Sequence, residues 1–429
     1  GCQQMMTVLE PPSVLSSPQR RCQALLMLYL PGHVITPEYI GNVNNVDVST
    51  ARQDIVEAGL EIERYHRLAI ATSADGSYRI EGTNLDLRLC LLYWLRRALR
   101  LCPHFVAHYF TPAIKTQLKQ LKIARNLYDE TNLQALVNRC GRSLQRQFES
   151  RDGQFLRLYL QYCLLQHHQG ESPYFNPQQG AWASATVEFQ TAAEIVRHWQ
   201  RRVRQIPNHH EQHFLALLFM LLKIPDPHDD AHEQDQQLQH AVTRLVDHFQ
   251  QVAGCRFTDE SGVSNHLYIH LAQALNRCVF GIGIDNHLSE EIHRLYPRLI
   301  RTTRVVLLEF ETRYSLRFSD DEAALIAVIF GAGLMQESEL HEKQVVLLTG
   351  DNPSLEQEIE QQLRELTLLP LNVKYLAVPI FQKEGAPKDS TLVISPYAIV
   401  LPLFSPPLIH AEQSLSEHQQ QHICKILET

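Results

Sequence analysis

The stretch Leu156–Gly170, LRLYLQYCLLQHHQG, returns 111 residues later as Leu267–Gly281, LYIHLAQALNRCVFG. A second block keeps the offset, with EQHFLALLF at Glu211–Phe219 matching EAALIAVIF at Glu322–Phe330. Between the blocks, Ala192, Ile195, Val196 and Trp199 fall on Thr303, Val306, Leu307 and Phe310. That spacing of three and four marks an amphipathic helix packing inward. One helical module is therefore used twice, over roughly 151–232 and 233–337, and paired modules of this kind sense or transmit rather than catalyse.

Ahead of the repeat, residues 1–16 lack periodicity and read as a disordered tail. Arg20–Tyr29 reads as a helix stopped by Pro31-Gly32, because proline cannot continue the hydrogen-bond ladder. Thr36-Pro37-Glu38 opens a second helix, with threonine as cap and proline in the first turn. Asp47 caps a third, running to about Arg64. Leu68–Thr72 and Ser77–Glu81 then alternate as strands around Ser73-Ala74-Asp75-Gly76, a hairpin signal. Three helices and a hairpin over 17–82 describe a winged helix-turn-helix, whose third helix reads DNA. Its early outward positions include Ser49, Arg52 and Gln53, and arginine and glutamine suit guanine and adenine edges. The same small fold also serves for protein contacts alone.

Residues 83–150 are helical and read as a second helix-turn-helix-like domain. Net charge over the whole chain is −8, yet this segment is basic while residues 1–80 are slightly acidic. A helix expected over Leu133–Phe148 carries Arg139, Arg142 and Arg146 on one face, a cationic stripe suited to phosphates. A solvated face with surplus arginine accounts for the same pattern. From Gln344 the character changes, because strand, helix, strand and strand signals at Gln344–Leu348, Pro353–Leu366, Asn372–Val378 and Thr391–Ser395 indicate a small α/β domain over 338–429, closed by a last helix at Ser414–Leu427. The fold expected is thus mainly α and multidomain, with a parallel sheet at the C-terminal end.

Composition narrows the function. At 429 residues the chain exceeds a single core. Nine unpatterned cysteines read as reduced thiols, and no apolar run approaches the roughly 18 residues of a membrane span, which places the chain in the cytoplasm. His167-His168 and His209-His210 with His213 lack partner ligands at metal spacing, so neither metal nor cofactor is expected. No phosphate-binding loop, nucleophile elbow or zinc-protease motif occurs, and no enzyme activity is expected.

With these residues in place, the repeat LxxHLxxAxxR…G…N followed by ExxxIAxxF resembles the phosphotransferase-system regulation domain, found in tandem in bacterial transcription activators and antiterminators. The second copy carries the pattern through Leu267, His270, Leu271, Arg277, Gly281, Asn286, Tyr296-Pro297, Glu322, Ile326 and Phe330. Val46-Asp47, Thr50-Ala51 and Asp54-Ile55 are similar to the recognition-helix pattern of the family's winged helices, and Tyr78–Gly82 looks like their wing. The C-terminal part resembles a phosphotransferase IIB domain. An antiterminator would place only about 55 residues before the first regulation domain, whereas about 150 precede it here.

The resemblance implies two phosphorylatable histidines in each copy. The matching positions hold Tyr159 and Leu218 in the first and His270 and Ile329 in the second. Leucine and isoleucine cannot form a phosphoramidate, so only His270 is competent, and it also reads as a simple packing residue. The IIB resemblance implies a cysteine after the first strand, where Thr349-Gly350-Asp351 stands instead. Expected, therefore, is a homodimeric DNA-binding regulator with two largely phosphosite-less regulation domains, a non-catalytic tail and a phosphotransferase-system protein as partner. A protein-interaction adaptor that has lost DNA binding is the competing expectation.

Overall fold

The computed structural model describes residues 14–200, 208–284, 289–335, 343–368, 371–402 and 404–428. Most of the expected tail and Asn286 lie outside the described residues. The chain forms two compact units, one built from the chain up to Lys223 with Val279–Gly283, the other from Ile224–Cys278 and the chain from Ile284 onward.

The first unit begins with α1 (Ser17–Met27), which starts three residues before Arg20 because Ser16 and Gln19 form a capping box. In α2 (Pro37–Asn44), Thr36 accepts from the Tyr39 amide, and in α3 (Val48–His66) Asp47 accepts from the Thr50 amide. The helix α3 buries Ala51, Asp54, Ile55, Ala58 and Ile62, one stripe at helical spacing. Buried Asp54 is neutralised by Arg20 of α1 at 3.0 Å, which fixes the two helices against each other. Strands β1 (Ala69–Thr72) and β2 (Tyr78–Glu81) pair antiparallel, with Ile70 opposite Ile80. A bridge from Tyr78 to Ile35 adds a third extended segment beside the hairpin.

Next comes α4 (Asn84–Leu101), capped by Thr83 and ended at Cys102 before Pro103. A single turn, α5 (Pro103–Phe105), leads into a π-helical stretch at Val106–Phe110 and then α6 (Thr111–Gln120). Helices α7 (Glu130–Leu144), α8 (Ser150–His168), α9 (Pro177–Ser184), α10 (Val187–Gln200) and α11 (His209–Leu222) complete the unit. Ala192, Ile195, Val196 and Trp199 are all buried, as the inward phase of the repeat requires. The winged helix, the basic helical segment and the first repeat copy share one continuous apolar core, which includes Leu25, Trp94, Tyr159 and Phe214.

In the second unit, α12 (Glu233–Ala253), α13 (Glu260–Phe280), α14 (Ser289–Leu295), α15 (Pro297–Tyr314) and α16 (Asp320–Leu334) form the second copy. Phe249 and Phe330 stack at 4.0 Å in its core, and Thr303, Val306, Leu307 and Phe310 are buried. A parallel sheet of order β4-β3-β5-β6 follows, from β3 (Lys343–Thr349), β4 (Leu371–Ala377), β5 (Ser390–Ser395) and β6 (Leu408–His410). Helices α17 (Pro353–Glu365) and α19 (Glu417–Glu428) cover one face, and the short α18 (Val378–Glu384) packs on the other. The chain is mostly helical, and no helix among the described residues is long and apolar enough to cross a membrane.

Candidate functional site

Ser49, Arg52 and Gln53 all lie exposed on the first half of α3. Gln53 Nε2 donates to Glu57 Oε1 at 3.3 Å, one turn along, while Arg52 has no hydrogen-bond or ion-pair partner among the described residues. Further along the same helix, Val56 and Leu60 are 55% and 63% exposed. Beside it, the wing carries Arg79, held by Glu81 at 2.8 Å and by Ser73.

The three-arginine stripe expected over Leu133–Phe148 needs correction. Gln145 adopts a left-handed conformation with φ 54, so α7 stops at Leu144 and Arg146 falls beyond it. Arg139 and Arg142 remain exposed on the helix. Arg146 turns inward instead, donating to the Phe219 carbonyl at 2.8 Å and pairing with buried Glu188. Its charge is neutralised there, so it is no phosphate contact.

The equivalent positions in the two repeat copies behave differently. In the first, Tyr159 is fully buried and its hydroxyl donates to the Arg88 carbonyl at 2.5 Å, while Leu218 is fully buried in the core. Glu211 is also wholly buried, and Arg88 of α4 reaches it with Nη1 at 2.5 Å and Nη2 at 3.1 Å. Ser172 donates to the same carboxylate at 2.8 Å. Arg88 also lies 4.9 Å over the Phe214 ring. Burial alone would lower the Arg88 pKa, but the Glu211 charge beside it outweighs burial and raises it.

In the second copy the corresponding acid, Glu322, takes Arg277 Nε at 2.6 Å and Nη2 at 3.2 Å. His270 Nε2 lies 3.4 Å from Oε2, the oxygen that also takes Arg277 Nη2. Burial would raise the Glu322 carboxyl, yet nearby His270 and the hydrogen-bonded Arg277 overcome it and hold the group below its ordinary value. His270 is half-buried, and Ile329 stands at the position equivalent to Leu218.

Sequence reading missed Arg88. The signal available was a vacancy, because Gln166 stands where the repeat puts Arg277. With that cation gone, an unpaired acid at position 211 has to find a cation elsewhere.

In the C-terminal sheet, the loop after β3 is filled from within. Asn352 N–H donates to the Tyr397 hydroxyl at 2.8 Å, and that hydroxyl donates to buried Glu356 at 3.0 Å. Gly350 N–H points to the same carboxylate at 3.5 Å. The two loop amides thus face a phenol hydroxyl and a carboxylate supplied from within the domain. Among the described residues no cluster of three metal-ligating side chains occurs. His210 Nδ1 accepts from the Phe175 amide at 3.1 Å, and His213 Nε2 lies 3.0 Å from the Ser184 hydroxyl.

A mostly helical chain with a repeated helical module and a small parallel sheet is a regulator-like protein by comparison with known proteins. The PRD domain family matches residues 243–333, and the family described as "Stationary phase-inducible protein CsiE, C-terminal domain" matches residues 343–427. Stationary phase-inducible protein CsiE of Escherichia coli (strain K12) is 58% identical over 425 residues, covering 99% of this chain and all of that protein. Transcriptional regulator ManR of Bacillus subtilis (strain 168) is 26% identical over 184 residues, 39% of this chain and 28% of ManR. The chain belongs to the family of stationary phase-inducible protein CsiE and carries a PRD domain.

Proposed function

We propose that this protein is a cytoplasmic, homodimeric transcription regulator that binds DNA through α3 and has no catalytic activity. The observation that carries the reading is the exposed placement of Ser49, Arg52 and Gln53 on the first half of a capped helix beside a hairpin, with Arg52 unpaired among the described residues. That is the position from which a recognition helix contacts base edges. Arg139 and Arg142 supply backbone contacts, and Arg146 does not. The relative named transcriptional regulator, ManR, supports the assignment. The tail is a degenerate IIB-like domain serving as an interface, since its loop amides already hold Glu356 and Tyr397.

Input reaches the protein through the second copy. His270, beside Glu322 and Arg277, is the one acceptor-type histidine left, and a phosphotransferase-system protein is the donor this reading assigns. Genomic DNA capture at about 150 mM salt, near physiological ionic strength, tests the reading against an Arg52→Ala, Gln53→Ala variant. A short palindromic site enriched by the native protein and lost in the variant supports it.

One observation favours the adaptor alternative. Exposed Val56 and Leu60 extend the α3 surface with apolar groups suited to a protein partner. Capture of no site above nonspecific background decides for that alternative.

A further inference from the structure

A groove of about 420 Å³ opens in the first unit between the α1–α2 turn with the start of α2 and the π-helical stretch with α6. Its volume falls within the range of small-molecule sites, and its make-up fits one as well. The rings of His33, Tyr39, His108 and Tyr109 line it, and it contains no Asp, Glu, Lys or Arg. Thr116 and Gln117 supply polar groups from α6, and neither side chain is hydrogen-bonded to another described residue.

The backbone departs from regularity at this place. The π-helical stretch Val106–Phe110 lies between Pro103 and Pro112, and it carries both His108 and Tyr109. Wide π turns have poorer hydrogen-bond geometry than α turns and recur at functional sites. Here the turn seats Tyr109 on buried Phe105 with ring centroids 5.3 Å apart and a 19° interplanar angle, leaving the ring 39% exposed. The opposite wall has its own constraint. Gly32 is left-handed, with φ +73, and a Cβ there would sit 3.8 Å from the Gln117 amide oxygen. Tyr39 is tilted against His33 at 5.9 Å. Burial raises the Tyr39 phenol, and nearby Tyr109 adds to the effect, so Tyr39 stays a neutral donor.

We propose that this groove binds a free, planar, uncharged ring with hydrogen-bonding edges, of the nucleobase or nucleoside class. The ring stacks on Tyr109, and its polar edge meets Gln117 and Thr116. Lack of charged lining selects against phosphorylated forms, whose charge would go unpaired. Stacking is tolerant of ring identity, whereas the Gln117 amide discriminates between ring edges. Such a ligand would bridge the winged helix and the basic helical segment, a position from which it biases the α3 surface. The inference does not depend on DNA binding.

Saturation-transfer NMR on the full chain tests it, using adenosine, guanosine, cytidine and thymidine one at a time, with a short single-stranded oligonucleotide as a separate arm. The expected result is transfer to the ring protons of at least one free nucleoside. Tyr109→Ala weakens that binding by about tenfold or more, the scale of losing one aromatic–base stack, and Tyr109→Phe retains it. Gln117→Leu, at a half-exposed position that leaves the core intact, changes the order of preference among the four. Absence of transfer to every free nucleoside overturns the proposal, as does binding seen only with the oligonucleotide. Unchanged affinity in folded Tyr109→Ala also overturns it.

Discussion

The two repeat copies use the same acid for different ends. Glu322 is answered from within its own copy by Arg277, and half-buried His270 stands beside it. Glu211 is answered by Arg88 from a different segment, and Tyr159 at the histidine position donates to the backbone of that same arginine. The acid of one copy is paired inside that copy, whereas the acid of the other has become a socket for its upstream neighbour. In the first copy, the acid that lacks a cation at the position equivalent to Arg277 holds the basic helical segment instead.

Arg88→Ala tests this most severely. Removing one member of a buried pair leaves Glu211 desolvated and uncompensated, at about 3–5 kcal/mol, read as a lower denaturant midpoint of the first unit. Arg277→Ala, less deeply buried, costs about 2 kcal/mol in the second unit. Equal effects would remove the distinction between the socket and the pair inside the second copy. Replacing both Arg88 and Glu211 by methionine recovers most of the loss, and a double-mutant cycle measures the coupling.

Acid separates the units next. Burial lowers His66 of α3 from 6.5 to about 4, partly offset by Asp86. A folded pKa below the unfolded one means that the unfolded state binds the proton more readily. Stability is therefore complete above pH 6.5 and is lost as pH falls through the interval to about 4, by up to about 3 kcal/mol. Glu322, also depressed, contributes stability present above its ordinary value near 4.5 and lost below it. The first unit should thus weaken at milder acidity than the second. His66→Gln should flatten that slope, as pH-dependent unfolding of native and variant proteins would reveal.

Smaller changes sharpen the picture. Tyr159→Phe removes the hydroxyl bond to the Arg88 carbonyl and costs about 1 kcal/mol in the first unit. Tyr397→Phe removes the hydroxyl joining Asn352 to Glu356, at about 0.5–1 kcal/mol, and affects the second unit only. Thermal unfolding of each variant provides the comparison.

Much of the fold could be read from local signals. Thr36, Asp47 and the Asp75-Gly76 turn act within a few residues, and α2, α3 and the hairpin appear where those signals put them. The short β6 and α18 carried no readable pattern, since three and seven residues give too little periodicity. Arg88 was illegible for another reason. It lies in a basic, amphipathic stretch, and only the fold reveals that Glu211, 123 residues away, is its partner. Arg146 misled because helix spacing continued past Gln145, a non-glycine residue whose left-handed turn is closed by local backbone bonds from Gln145 N–H to the Arg142 carbonyl and from Arg146 N–H to the Gly141 carbonyl. The π stretch beside Tyr109 has no sequence signature at all.

Native-state hydrogen exchange followed by mass spectrometry tests the socket most directly. If Arg88 makes the upstream segment and the first copy one cooperative body, α4, α8 and α11 share a single opening free energy, which Arg88→Ala lowers in all three while α15 and α16 are unmoved. Opening of α4 in the native protein well below that of α8 and α11, with Arg88→Ala changing α4 alone, would contradict it.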